Sequence, residues 1–332
     1  MNIWFDFTNP PHVNFFKPLI NYYKLKGFDS LCTAREFVET LDLLKLYQID
    51  FQVYGKHGGR KKFNKILALL RRYQQLYHHI DSFDISFSSN NEAPLVSWLK
   101  RKPAFVFDDN DISPNWLYSK FSSWVISPEH IDKNAMYKMG VDPSRLLCYN
   151  GFKEHIYIAD YEPDTSFLDG LPFDEFVTVR PENIQAAYIP KGVSSIVPAL
   201  VEKLLSKKFN ILFLPRYKSD YELIPADDRV FIPSKPLNGL DVSYYSTAIL
   251  TGAGSFSREA AIMGTPAVSF YAGSKILGVD QKMFNDGLVY HSRNPEDIIK
   301  YLMTSKKKIF NQYNCKSVQA NLFSLLDGKL NN

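Results

Sequence analysis

Cysteine is scarce in this chain: Cys32, Cys148 and Cys315 are an odd number, far apart, in 332 residues. That spacing excludes a disulfide framework and offers no metal-ligand pattern, so a reduced, cytoplasmic setting and no bound metal are expected. An excess of one charge sign is also missing, since 39 Lys and Arg against 35 Asp and Glu leave only +4. So mild a balance argues against nucleic acid as a partner unless the charge is gathered locally. No apolar run approaches the roughly 18 residues that a spanning helix needs. The opening Met1-Asn-Ile-Trp-Phe-Asp-Phe7 has neither the basic nor the apolar region of a signal peptide. Internal repeats and low-complexity tracts are absent. What remains is 45% hydrophobic and 22% charged residues, a globular balance, over a length that suits two domains. Aromatics are plentiful at 15%, with 25 Phe and 20 Tyr, and are assigned to the cores.

Hydrophobic periodicity alternates between strand and helix. Strands are expected at 2–7, 30–33, 50–54, 85–88 and 104–108, with helices at 13–26, 36–47, 62–79 and 93–100 between them. The pattern restarts with strands at 175–179, 210–214, 229–232, 248–251 and 267–270, and with helices at 194–205, 239–246, 255–263 and 295–304. The segment 157–171 is rich in Asp, Glu and Pro and marks the boundary. The expectation is an α/β protein of two doubly wound, Rossmann-like parallel-sheet domains, 1–160 and 171–332, facing across a cleft.

The segment Ile249-Leu-Thr-Gly-Ala-Gly-Ser-Phe-Ser-Arg-Glu259 reads as strand, glycine turn and helix. Gly252, Ala253, Gly254 and Ser255 would bring free amides and a helix dipole to a phosphate. Glu259, one turn further on, could reach the hydroxyls of an attached sugar. A dinucleotide fingerprint is ruled out, because Ser257 stands at its third glycine and the motif lies in the second half. The P-loop pattern is absent. An ordinary strand-to-helix turn would need the same glycines. Val177-Thr-Val-Arg180 and Leu212-Phe-Leu-Pro-Arg216 each deliver an arginine at a strand tip. If these strands are neighbours, both guanidiniums meet the glycine turn, and their planar donors suit a diphosphate.

In the first half, Asp6-Phe-Thr-Asn-Pro-Pro-His12 places His12 at a helix start, where the dipole should lower its pKa. A neutral imidazole there can act as a base, contact a substrate or merely pack. Phe107-Asp-Asp-Asn-Asp111 follows a strand, and Asp109 and Asp111 are favoured over Asp108 as base or sugar ligand. Ser127-Pro-Glu129-His130 is a weaker candidate of the same type. Between Asp50 and Asp81 the charged residues are all basic, including Lys56, Arg60, Lys61, Lys62, Lys65, Arg71 and Arg72. Interleaved with Phe63, Ile66, Leu67, Leu69, Leu70, Tyr73, Leu76 and Tyr77, they make a basic amphipathic helix over 56–77. Such a helix can pack with a solvated basic face or rest on anionic lipid.

Assembled, these segments resemble a glycosyltransferase-like family of GT-B fold and unknown function. The motifs that carry the resemblance are Asp6-Phe-Thr-Asn-Pro-Pro-His12-Val13, Thr33-Ala-Arg-Glu36, His57-Gly-Gly, Tyr149-Asn-Gly-Phe-Lys-Glu154, Val179-Arg-Pro-Glu182 and Thr251-Gly-Ala-Gly-Ser-Phe-Ser-Arg-Glu259 through Pro266. More distantly, the second half is similar to UDP-N-acetylglucosamine 2-epimerases and to the N-acetylglucosaminyltransferase of lipid-linked peptidoglycan synthesis. The resemblance implies diphosphate at Gly252–Ser255, ribose at Glu259, the base at Phe231–Ile232, and Arg180 as the strand-end arginine of an Arg-x-Glu-Asn context. The epimerase acids of a His-x-Glu-Ala-Gly type segment are replaced here by Phe107-Asp-Asp-Asn-Asp111. The expected activity is transfer of a sugar from a UDP-type donor to a glycan or lipid acceptor, with no obligatory cofactor or metal. His12 or Asp109 would take the acceptor's proton. The alternatives are an epimerase or hydrolase acting on the nucleotide sugar alone, and a non-catalytic nucleotide-sugar-binding protein. The cytoplasm, with peripheral contact on the inner face of the membrane as an option, is the expected location.

Overall fold

A computed structural model describes residues 1–37, 39–56, 58, 62–112, 116–184, 189–190 and 192–330, apart from the side chains of Lys62, Phe63, Lys65 and Trp116. His57 and Gly59 of the His57-Gly-Gly motif, Arg60 and Lys61 of the basic stretch, and the side chains of Lys62, Phe63 and Lys65 therefore lie outside the described residues.

By its internal contacts the chain divides into two compact units, Met1–Tyr157 with Ser317–Asn332, and Ile158–Lys316. The expected second domain ran to the C-terminus, whereas the chain from Ser317 onward belongs to the first unit. The reason is specific packing: Tyr22 stacks on Phe323 with ring centroids 4.1 Å apart, and the Tyr22 hydroxyl donates to Asp327 at 2.5 Å.

The first unit runs β1 (Asn2–Phe7), α1 (Pro10–Leu25), β2 (Asp29–Glu36), α2 (Thr40–Leu46), β3 (Gln52–Lys56), α3 (Lys62–His79) and β4 (Ile85–Ser88). It continues α4 (Glu92–Leu99), β5 (Ala104–Phe107), α5 (Trp116–Phe121), β6 (Trp124–Pro128), α6 (Lys133–Lys138), β7 (Leu146–Tyr149) and α7 (Lys153–Ile158). Its seven strands are all parallel, in the order β3-β2-β1-β4-β5-β6-β7. Strands covered by helices on both faces must be apolar throughout, and β4 and β5 are buried at every position. The aromatic richness is here a core: Phe5, Phe7, Phe15, Phe16, Phe87, Phe105 and Phe107 are all buried and meet edge-on or tilted.

The second unit runs β8 (Val177–Arg180), α8 (Val197–Ser206), β9 (Ile211–Phe213), β10 (Val230–Phe231), α9 (Gly239–Tyr245), β11 (Ala248–Thr251) and α10 (Gly254–Ile262). There follow β12 (Ala267–Ser269), α11 (Gly278–Asn285), β13 (Val289–His291), α12 (Pro295–Thr304) and α13 (Gln312–Leu330), whose last turns belong to the first unit. The six strands are parallel in the order β10-β9-β8-β11-β12-β13. Their core is mainly aliphatic, with Val177, Val179, Leu200, Leu204, Ile211 and Leu250 buried beside Phe213 and Phe270. Both units are Rossmann-like α/β domains. Among the described residues no helix is long and apolar enough to cross a membrane.

Each sheet has one point where the strand order reverses, between β1 and β4 in the first and between β8 and β11 in the second. Helices leave opposite faces there and open a crevice at the C-terminal strand ends, the usual seat of ligands in such folds.

Candidate functional site

At the reversal of the second sheet, β8 and β11 lie side by side with Thr251 opposite Arg180. Strand β9 flanks β8 on its other side, so the sequence-predicted Arg180 and Arg216 leave adjacent strands at the same edge. Arg216 is held there by its Nε, which donates to the Pro181 carbonyl at 2.8 Å. The glycine turn fills the neighbouring position. The Gly252 amide donates to the Arg180 carbonyl and the Ala253 amide to Thr251 Oγ1, at 3.2 and 3.0 Å. Those two donors are therefore taken. The amides of Gly254, Ser255 and Phe256 open α10, outside its own hydrogen-bond ladder, and they offer an anion the helix N-terminus.

Neither Gly252 nor Gly254 adopts positive φ. Space is the constraint: a Cβ on Gly252 would stand 2.6 Å from the Glu182 Cα, and one on Gly254 would stand 3.0 Å from Arg258 Nη1. Glu182, buried, is the strut beneath the turn. It accepts from the Ser195 hydroxyl (2.6 Å), the Ile196 amide (3.2 Å) and Arg293 Nη1 (3.0 Å). Arg293 also donates to the Phe270 carbonyl at 2.8 Å, so one carboxylate joins four loops of the same edge. Sequence reading also passed over the pair of buried Arg258 and half-buried Asp280, which lies against Gly254; Arg258 Nη2 reaches Ser255 Oγ at 3.3 Å. Glu259 is half-buried in the second turn of α10. Phe231 and Ile232 stand at the end of the edge strand β10, with Ile232 packed partly on the core.

The reversal of the first sheet is built around Asp6, at the end of β1 and fully buried. It accepts from Arg72 Nη2 (2.5 Å) and Nη1 (3.0 Å), from Thr33 Oγ1 (2.5 Å) and from Asn90 Nδ2 (2.8 Å). Arg72 Nη1 also meets Glu92 at 3.2 Å, and Trp4 Nε1 donates to Thr33 Oγ1. Arg72 is thus 1% exposed. It is not part of a solvated basic face, because the carboxylates of Asp6 and Glu92 draw it inward. Gly55, at φ +76°, lets β3 close over the Arg72 stem. Asn90 Oδ1 accepts the amides of Glu92 and Ala93, which starts α4 beside the network.

His12 lies in the first turn of α1, behind Pro10 and Pro11. Its pKa falls to about 3, chiefly through burial and next through the Lys153 ammonium; Asp6 and Asp109 oppose the shift, and Arg35 adds to it. The direction is the expected one, but burial and Lys153 cause it. The Thr8 amide donates to His12 Nδ1 at 3.4 Å, so the resting neutral ring carries its proton on Nε2. Asp109 pairs with Lys153 at 2.6 Å. Asp108 accepts from the Tyr118 hydroxyl, and buried Asp111 accepts the Asp132 amide at 2.8 Å, which pins the two loops together. Of the acidic run, Asp109 is thus the residue brought into the His12 constellation. His130 instead packs its ring near Phe152, with centroids 5.3 Å apart.

A family model described as a protein of unknown function, DUF354, matches residues 1–326, and the chain belongs to that family. An uncharacterized protein of Methanocaldococcus jannaschii is 26% identical over 314 residues, 91% of each chain. Among solved structures, the UDP-GlcNAc 2-epimerase of the same organism, in complex with UDP-GlcNAc and UDP, superposes with a TM-score of 0.73 at 13% identity, covering 98% of this chain and 99% of that one. Anabaena HepE in complex with UDP and glucose gives 0.64 at 14% identity, covering 99% and 100%. At such identity these structures share the fold, the two-domain parallel-sheet architecture of GT-B-like proteins.

Proposed function

We propose that this DUF354 chain is a glycosyltransferase that moves a sugar from a UDP-type donor to an acceptor in cell-surface glycan or glycolipid synthesis. The observation that carries the reading is the edge of the second sheet, where Arg180, Arg216 and the open amides of α10 gather at one strand reversal. Fixed donors and a helix dipole at that place suit a departing diphosphate, whose charge grows as the glycosidic bond breaks. Glu259 takes the ribose hydroxyls, and Phe231 and Ile232 receive the base. Solved relatives of this fold hold UDP-GlcNAc, or UDP with glucose, which supports the ligand class.

The first unit supplies the acceptor side. Asp109 takes the acceptor's proton, and the Lys153 ammonium beside it balances the charge. His12, with Nδ1 engaged by Thr8, presents its Nε2–H to an acceptor oxygen and positions it. Asp111 holds the loop. Exposed Ile66, Leu67, Leu70 and Tyr77 on α3, beside exposed Arg71, give this unit a face for peripheral contact with anionic lipid.

Titration calorimetry with UDP, ADP and GDP tests the donor site. UDP should bind tightest, and Glu259→Ala should weaken it about tenfold or more through loss of a charged hydrogen-bond acceptor. Silence with every nucleotide diphosphate would sink the reading. A second reading, epimerisation or hydrolysis of the nucleotide sugar alone, is favoured by the epimerase complex of the same fold. Incubation of UDP-GlcNAc without acceptor separates the two, since a new epimer or free UDP would support it and unchanged donor supports transfer.

A further inference from the structure

Arg35 is the least satisfied cation near the reacting constellation. It stands half-buried at the end of β2, where Nη2 donates to the Thr8 carbonyl at 3.0 Å and the guanidinium lies 5.4 Å from the Phe37 ring. Its Nε is buried without a hydrogen-bond partner, and no carboxylate among the described residues pairs with it. The neighbouring cations are compensated: Lys56 pairs with Glu36 at 3.0 Å, and Arg72 is taken by Asp6 and Glu92. Burial pulls the Arg35 pKa down and Arg72 adds to the shift, while the nearby carboxylates of Glu92 and Asp6, which are both bonded to Arg72, oppose it.

Arg35 lines a pocket of about 180 Å³ together with Lys56, Ala68, Leu69, Arg72 and Glu92. That volume is below the roughly 300–1,000 Å³ of sites that enclose whole nucleotides or drug-sized ligands. It suits a single tetrahedral anion. A half-buried guanidinium with no carboxylate paired to it and a buried, unbonded Nε is costly, and a planar fork of N–H donors recognises phosphate oxygens in particular. Thr8 sets the place of this anion relative to the chemistry, because its carbonyl holds Arg35 while its amide and hydroxyl meet His12 Nδ1.

We propose that this pocket binds a phosphate ester carried by the acceptor, held by Arg35 so that the neighbouring hydroxyl lies at His12. The proposal rests on the transferase reading and names the class of acceptor: a phosphorylated sugar or a lipid phosphate, recognised through the same anion. Neutralising Arg35 would also remove one of the two cations that hold His12 low, the other being Lys153, and would leave Asp6 and Asp109 as the groups that raise it.

The test titrates the full chain with phenyl phosphate, and in a second arm with phosphatidylcholine vesicles containing phosphatidic acid. Binding of phenyl phosphate should be saturable and about tenfold or more weaker in Arg35→Gln, with part of the loss restored in Arg35→Lys. Ala68→Phe, which fills the pocket without touching charge, should weaken it as well and guards against a folding defect in the arginine variant. Saturable, Arg35-dependent binding to the vesicles without binding of phenyl phosphate would assign the anion to a lipid. Equal affinity in wild type, Arg35→Gln and Ala68→Phe overturns the proposal, as does silence in both arms. UDP is titrated in parallel. Arg35-dependent phosphate binding with no UDP binding would retire the donor reading and leave the pocket standing, whereas UDP binding weakened equally by Arg35→Gln would remove the pocket from the acceptor side.

Discussion

His12 and His155 both sit where protonation costs, and the sign of their effect on stability follows directly. Their pKa values fall from 6.5 to about 3 and about 4, in each case first through burial. The unfolded chain therefore binds more protons than the folded one below pH 6.5, so stability is full above that value and is lost as pH falls through this window. Urea denaturation should show a midpoint that declines on acidification, and the decline should be shallower in His155→Asn, which removes one of the two groups. An identical decline in wild type and variant would refute the assignment. Gly252 is a second residue whose demand is steric. Its added methyl would meet backbone, the Glu182 Cα at 2.6 Å, which cannot swing away. Gly252→Ala should cost about 1–3 kcal/mol of stability as a small overpacking strain, and should weaken UDP by displacing the turn. A variant as stable as wild type with unchanged UDP affinity would show that the turn has slack.

Helix α3 is tied to the sheet by the inward Arg72, whose neighbour Arg71 is exposed. Arg72 enters a pocket where Asp6 and Glu92 are 0% and 5% exposed, so removing it strands two buried carboxylates. Arg72→Met should destabilise the protein by about 3–5 kcal/mol, the usual result of breaking a buried ion pair from one side. The triple change Arg72→Met, Asp6→Asn, Glu92→Gln should recover part of that loss, since no charge is then stranded. Thermal melts of the two variants decide it, and a triple variant no more stable than the single one would contradict this account. The same helix shows where sequence reading stops. A period of 3.6 told that residues 62–79 are helical, but nothing local distinguished Arg72 from Arg71. The difference is made by Asp6, 66 positions away in the chain and adjacent only once β1, β2 and β4 are assembled. Strands such as Ile85–Ser88 were legible because burial on both faces leaves unbroken apolar runs. Strand β7, at the sheet edge with half-buried residues, and α13, whose apolar positions do not gather into one stripe, carried no such signal. Likewise the Gly252–Glu259 motif raised the expectation of an anion site from spacing alone, while Arg35, Lys153, Arg258 and Glu182 drew their meaning from partners that only the fold supplies.

At the scale of the whole molecule, the chain is one pattern used twice, a parallel sheet with a single reversal, and the two reversals are furnished differently. The second has open helix amides and strand-end arginines; the first has a closed ion network, a neutral imidazole and a guanidinium that no carboxylate among the described residues pairs with. Two ligands of different kinds are therefore expected to leave separate marks, which hydrogen exchange can read peptide by peptide. Saturation with UDP at about 100 times its Kd is worth about 2.7 kcal/mol to whatever opening exposes the site. Peptides covering 180–183, 214–217 and 252–259 should accordingly slow their exchange, while those covering 8–12 and 33–37 should not. Phenyl phosphate should produce the converse map, with protection at 8–12, 33–37 and the first turns of α4. UDP protection confined to the first unit would reverse the assignment of donor and acceptor sides. Phosphate protection at 252–259 alone would show that the glycine turn, and not Arg35, is the anion site for both ligands.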